Sequence, residues 1–144
     1  MRERALKLLG LMRRANALQI GEDNSGAAVH AGRAKLLLLA ADASDNSRRR
    51  AEHFVNGRRT QLIPLPFAKE ELSASLGVNG GSMAAVTDLG FACALMKLLA
   101  EIDPERYAEA AAETERRKDK AERRKKETAA AKTNKRIGTR RTNG

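Results

Sequence analysis

The sequence predicts an α/β layered domain built on a small sheet, followed by a charged C-terminal helix and a disordered tail. Three observations carry this expectation. Apolar runs of strand length alternate with stretches of three- and four-residue apolar spacing, the pattern of strands and helices packed in layers. Side chains able to build a core are concentrated in residues 1–102, and beyond them only Tyr107 and Ile137 are apolar and larger than alanine. The total of 144 residues is the length of one domain.

Between Arg2 and Ala15, the apolar residues Ala5, Leu8, Leu9, Met12 and Ala15 recur at helical spacing, so an amphipathic helix opens the chain. Leu18-Gln19-Ile20 alternates and stops at Gly21, a short strand. Glu22 to Ala31 reads as a helix closed by Gly32. Lys35 to Ala41 is a continuous apolar run, the mark of a strand buried on both faces. Asp42-Ala43-Ser44-Asp45 is a turn with capping residues, and Asn46 to Asn56 is a helix bearing Arg48, Arg49 and Arg50, ended by Gly57. Gln61 to Leu65 is a strand at the sheet edge, because Pro64 has no N–H to give a ladder. Lys69 to Leu76 is a short helix ended by Gly77; residues 77–82 form a flexible loop, and Met83 to Thr87 is a further strand. Asp88 stands at the N-cap of a helix from Leu89 to Ile102.

Asp103-Pro104 begins a new segment. Glu105 to Lys132 is rich in Ala, Glu, Lys and Arg, with acid-first pairs four apart at Glu113/Arg117, Asp119/Arg123 and Glu122/Lys126. It reads as an exposed helix without a core face. Residues 128–144 carry five cations and no acid, the composition of a disordered end.

The formal net charge is +10. Residues 1–102 carry 14 basic and 10 acidic side chains, and residues 103–144 carry 14 and 8. Such an excess attracts polyanions, and in the cytoplasm the abundant one is RNA. Aromatic residues are 3% with no Trp, which argues against a stacking platform for single-stranded bases. The one cysteine, Cys93, excludes an intramolecular disulfide framework and a cysteine-rich zinc site. There is neither an apolar run of membrane-spanning length nor a signal-like apolar block, so a cytoplasmic setting is expected, with no membrane partner.

Enzymatic chemistry finds little to work with. His30 and His53 lie on expected helices with no Ser or Cys motif nearby, and Cys93 falls among Phe91, Ala94 and Leu95 as a buried thiol. Gly77, Gly80 and Gly81 lack the lysine and helix of a phosphate loop. Asp42 and Asp88 each follow a strand, as in a Mg²⁺-dependent phosphoacceptor site, and both also suit helix caps. Gly21-Glu22-Asp23-Asn24 is different: a polar quartet opening a helix presents N–H groups with positive partial charge, suited to a phosphate or a base-edge acceptor. Its carboxylate and amide side chains suit guanine N–H groups; ordinary helix capping uses the same residue types.

The order of motifs across residues 2–100 is familiar. Leu8-Leu9-Gly10-Leu11 with Arg13-Arg14-Ala15 leads to Gly21-Glu22. Ala31-Gly32-Arg33-Ala34-Lys35-Leu36 is followed by Ala40-Ala41-Asp42-Ala43-Ser44. Lys69-Glu70-Glu71-Leu72 comes with Leu76-Gly77, and Ala85-Val86-Thr87-Asp88 with Gly90-Phe91-Ala92. Together these resemble the kink-turn-binding ribosomal protein family (L-seven-Ae-like), and within it the small bacterial YlxQ-like branch. The resemblance implies a three-layer α/β/α sandwich around a small four-stranded mixed sheet, and RNA binding without catalysis or cofactor. A kink-turn is a sharp bend beside sheared G·A pairs, which widens the otherwise unreadable major groove. Carried over by resemblance, Gly21, Glu22, Asp23 and Asn24 face the bases, and Lys35 contacts a phosphate. Leu76, Gly77 and Val78 begin an apolar lid over splayed bases, and Asp88 sits beside that surface. Ala27 stands where many members place a lysine.

The expectation is a non-catalytic protein that recognises structured, kink-turn-like RNA in association with the ribosome, as a monomer without metal or cofactor. Ribosomal RNA is the expected partner, with ribosomal proteins as further ones. The division is 1–102 as the kink-turn RNA-binding domain, 103–132 as a charged helical extension and 133–144 as a disordered basic tail. The alternative is a protein-interaction or ribosome-docking module of the same fold that has lost kink-turn affinity.

Overall fold

A computed structural model describes the backbone of residues 1–79 and 81–142 and the side chains of residues 1–79 and 81–131. Its elements are α1 (Arg2–Arg14), β1 (Leu18–Ile20), α2 (Glu22–His30), β2 (Leu36–Leu39) and α3 (Asp45–Val55). They continue with β3 (Gln61–Pro64), α4 (Lys69–Leu76), β4 (Met83–Val86), α5 (Leu89–Ile102) and α6 (Pro104–Thr142).

The four strands form one mixed sheet in the order β1-β4-β2-β3. β4 runs antiparallel to both β1 and β2, whereas β2 and β3 are parallel. The run Leu36-Leu37-Leu38-Leu39 is buried at every position because β2 lies inside the sheet with helices over both faces. Period-two alternation sorts its side chains. Leu36 and Leu38 join Ala84, Val86, Leu18 and Ile63 beneath α1, α4 and α5, while Leu37 and Leu39 join Met83 and Ala85 beneath α2 and α3. This is the three-layer α/β/α sandwich with a four-stranded mixed sheet that the sequence led us to expect. Pro64 lies on β3, an edge strand, as its missing N–H demands.

The extension departs from expectation. α6 has a core face: Tyr107 and Thr114 are each 1% exposed, and Ala110 and Ala111 pack against the main core. The Tyr107 hydroxyl donates to the Pro64 carbonyl, Gln61 Nε2 donates to Thr114 Oγ1 at 2.9 Å, and Arg117 Nη1 donates to the Arg59 carbonyl at 2.7 Å. The first turns of α6 therefore pack chiefly against α5, and these polar contacts tie them to the edge strand β3. The α6 backbone continues to Thr142 with no break at residue 132, in keeping with the helix-favouring Ala129-Ala130-Ala131. Gly80 of the expected 77–82 loop, and the side chains of the expected tail at 133–144, lie outside the described residues.

Candidate nucleic-acid interface

Gly21 is the single residue between β1 and α2, and it makes the change of direction possible. Its backbone sits at φ 98°, ψ 159°, a region open essentially to glycine alone, and its N–H is fixed to the Met83 carbonyl at 2.9 Å. The chain thus leaves the sheet and enters α2 within one residue, and no side chain caps that helix end. Beneath it, Ser25 is fully buried and its hydroxyl donates to the Gln19 carbonyl at 3.2 Å, pinning the first turn to β1. Asn24 Nδ2 donates to the Ile20 carbonyl at 3.0 Å, leaving its side-chain oxygen as an acceptor. The first-turn N–H groups face outward beside Asp23, whose side chain is 91% exposed.

Basic residues flank this end on two sides. On one, Arg13 and Arg14 from the end of α1 line an open groove with Asn16, β1, Asn24 and Val78. On the other, Arg49 and Arg50 of α3 line a second groove with Glu22 and Ser44. Arg50 closes the gap: its guanidinium meets Glu22 Oε2 at 3.0 Å and Asp23 Oδ1 at 2.8 Å, and stacks 5.3 Å from the centre of the Phe54 ring. Those hydrogen bonds, Asp23 first, raise the Arg50 pKa above its ordinary value. The two carboxylates at the helix end are matched by a cation, and the guanidinium is held rather than free.

The structure brings together only part of the expected site. Gly21, Glu22, Asp23, Asn24, Gly77 and Val78 share one end of the sheet; Gly77 ends α4 at φ 70°, and a Cβ there would stand 3.5 Å from Arg13 Nη1. Leu76 is not part of a lid. It is 4% exposed and belongs to the core, because the last turn of α4 points it under the sheet. Lys35 and Asp88 lie at the opposite end, since β4 is antiparallel to β2: Lys35 N–H bonds the Val86 carbonyl where β4 finishes, whereas Gly21 meets Met83 where β4 begins. Asp88 caps α5, with Oδ1 accepting from Phe91 N–H at 2.8 Å.

The same antiparallel pairing separates Asp42 from Asp88. Asp42 Oδ1 accepts from Lys69 N–H at 2.8 Å, so each aspartate caps a helix at its own end of the sheet. Among the described residues, no group of three His, Cys, Asp or Glu side chains could hold a metal ion, and no helix is long and apolar enough to cross a membrane. Cys93 is buried, and desolvation pushes its thiol pKa up, away from nucleophilic use.

Fold and site together define a small α/β/α protein that presents the uncapped N-terminus of α2 between basic walls. No protein-family model matches the chain. It is 40% identical over 96 residues to the RNA-binding protein YlxQ of Bacillus subtilis (strain 168), covering 64% of this chain and 91% of that protein. Its fold matches a solved protein of unknown function from Bacillus halodurans C, with a TM-score of 0.61 and 26% identity over 66% of this chain and 95% of that one. It also matches the Giardia lamblia 15.5kD RNA binding protein, with a TM-score of 0.53 and 22% identity over 72% and 84% of the two chains, a likeness of fold alone. The chain belongs to the YlxQ family.

Proposed function

We propose that this chain is a non-catalytic RNA-binding protein that recognises structured, kink-turn-like RNA and acts in association with the ribosome in the cytoplasm. The observation that carries the reading is the N-terminus of α2, uncapped, exposed and set between Arg13/Arg14 and Arg49/Arg50, in a chain 40% identical to a protein named for RNA binding. Phosphate or base-edge acceptors meet the first-turn N–H groups, and the helix dipole favours the negative charge. Glu22, Asp23 and the Asn24 side-chain oxygen accept from guanine N–H groups, while Arg50 offsets the repulsion of the two carboxylates from nearby phosphates. Gly77 and Val78 border the same surface. Residues 1–102 form the RNA-binding unit, 103–132 the helical extension and 133–144 a basic tail.

A gel-shift comparison tests this reading: an intact kink-turn RNA against the same RNA with its sheared G·A pairs replaced by Watson–Crick pairs. Tighter binding of the intact RNA is expected. Equal binding of both, or none, overturns kink-turn recognition and leaves a docking module of the same fold, the reading that the exposed Ala27 favours because it brings no charge to the helix end.

A further inference from the structure

The opposite end of the sheet carries a second charged surface, a cleft of about 670 Å³ between α6 and the starts of β2 and β3. Its domain side presents Lys35, Arg58 and Arg59, and its α6 side Arg116, Arg117, Lys120 and Arg124; among the described residues the one acid lining it is Glu113. We propose that this cleft holds the sugar–phosphate backbone of double-helical RNA, as a surface separate from the α2 end. The inference rests on the proposed RNA-binding function and extends it to a second site.

The arrangement of the cations carries the inference. Residues 113, 116, 117, 120, 121 and 124 form one face of α6 through helical spacing, so its cations, from 116 to 124, string out along about 12 Å of helix rather than converging on a point. A linear polyanion matches such a stripe; an isolated phosphate does not. Glu113 organises the cations instead of cancelling them: its carboxylate takes Arg116 Nη2 at 2.6 Å and Arg117 Nε at 3.0 Å, and these guanidinium contacts, Arg116 first, hold it below the usual carboxylate range. Arg117 reaches on to the Arg59 carbonyl at 2.7 Å, tying α6 to the far wall. Lys35, Arg59, Lys120 and Arg124 enter no ion pair among the described residues, so their charge is available to a partner. Among the described residues no aromatic side chain lines the cleft, so it offers phosphate contacts without the stacking that single strands need, which favours a duplex.

The test uses the full chain and a short RNA duplex without a kink, with binding followed by fluorescence anisotropy between about 50 and 200 mM salt. K120A combined with R124A removes two exposed cleft charges, and K125A combined with K126A removes two from outside the cleft. The cleft pair is expected to lower the slope of log affinity against log salt by about two. The control pair should change it by less than half as much. Equal slopes for wild type and the cleft pair overturn the proposal and leave the stripe to an acidic protein partner. The discrimination between kink-turn and G·A-less RNA is measured in parallel. Its preservation in the cleft variant, beside a reduced slope, supports two separate surfaces; its absence from the wild type removes the kink-turn reading while the slope still judges the cleft.

Discussion

Phe54 of α3 lies against the bare Cα of Gly26 of α2: a Cβ at that glycine would stand 2.5 Å from Phe54 Cζ. The close approach sets the spacing of the two helices that flank the candidate interface, and the same ring carries Arg50 on its face. Gly26→Ala must displace the partly buried Phe54 ring, three of whose carbons stand within 3.0 Å of the new methyl group. We expect a loss of about 1–3 kcal/mol in denaturant unfolding, as for other overpacked sites. RNA affinity should fall with it, because Arg50 loses its seat. An unchanged midpoint would show that α3 yields freely.

Gly21→Ala tests the one-residue link between β1 and α2. The site has open space, with nothing within 4 Å of where a Cβ would stand, so any effect is backbone strain alone. A residue with a Cβ at φ 98°, ψ 159° costs about 1–3 kcal/mol. The expected result is that loss of stability together with weaker RNA binding, since relief of strain tilts the helix end. Wild-type stability would mean the link can be remade at φ below zero.

Arg50→Gln separates charge matching from folding. The pair with Glu22 and Asp23 is solvent-exposed, so stability should change by less than about 1 kcal/mol. RNA affinity should fall roughly tenfold, about 1.4 kcal/mol, because two unmatched carboxylates then face the phosphates. Arg49→Gln removes the same charge without freeing an acid, and should cost clearly less in the same anisotropy titration. Equal losses would reduce Arg50 to one more phosphate contact.

Tyr107 is the chain's one tyrosine, and there is no tryptophan, so its phenolate absorbance in the near ultraviolet is a clean probe. Burial raises its pKa above the ordinary value of 10.0. A group with a raised folded pKa contributes stability fully below its unfolded value and loses that contribution as pH rises through the folded one. Phenolate absorbance should therefore appear only above about pH 10, together with weakening of α6 docking. Tyr107→Phe should remove the late absorbance and cost about 1 kcal/mol, leaving the Pro64 carbonyl without its donor. An ordinary tyrosine titration would mean that α6 leaves the β3 edge in solution.

The elements themselves were legible because local signals agreed: Gly21, Gly32, Gly57 and Gly77 punctuate them, Asp88 caps α5, and Pro64 marks an edge strand. Gly21-Glu22-Asp23-Asn24 could be read as a presented helix end for the same reason. What the residues did not carry was strand direction. Asp42 and Asp88, or Lys35 and Glu22, look equivalent along the chain, and only the antiparallel placement of β4 sends them to opposite ends of the sheet. The docking of α6 was hidden by its composition, since small alanines and one tyrosine pack it against α5 and the core while Gln61 and Pro64 of the edge strand supply polar partners. The cleft stripe could have been found from the cations at 116, 117, 120 and 124, whose spacing was visible without the wall they face.

Backbone amide NMR of the full chain during titration with an intact kink-turn RNA reads the contact surface directly. The largest shifts are expected at Glu22, Asp23 and Asn24, at sub-stoichiometric RNA and before those of Lys35, Arg58 and Lys120. If the three α2 amides hold their positions while RNA binds and only the far end of the sheet responds, then the presented helix end is not where this protein meets RNA.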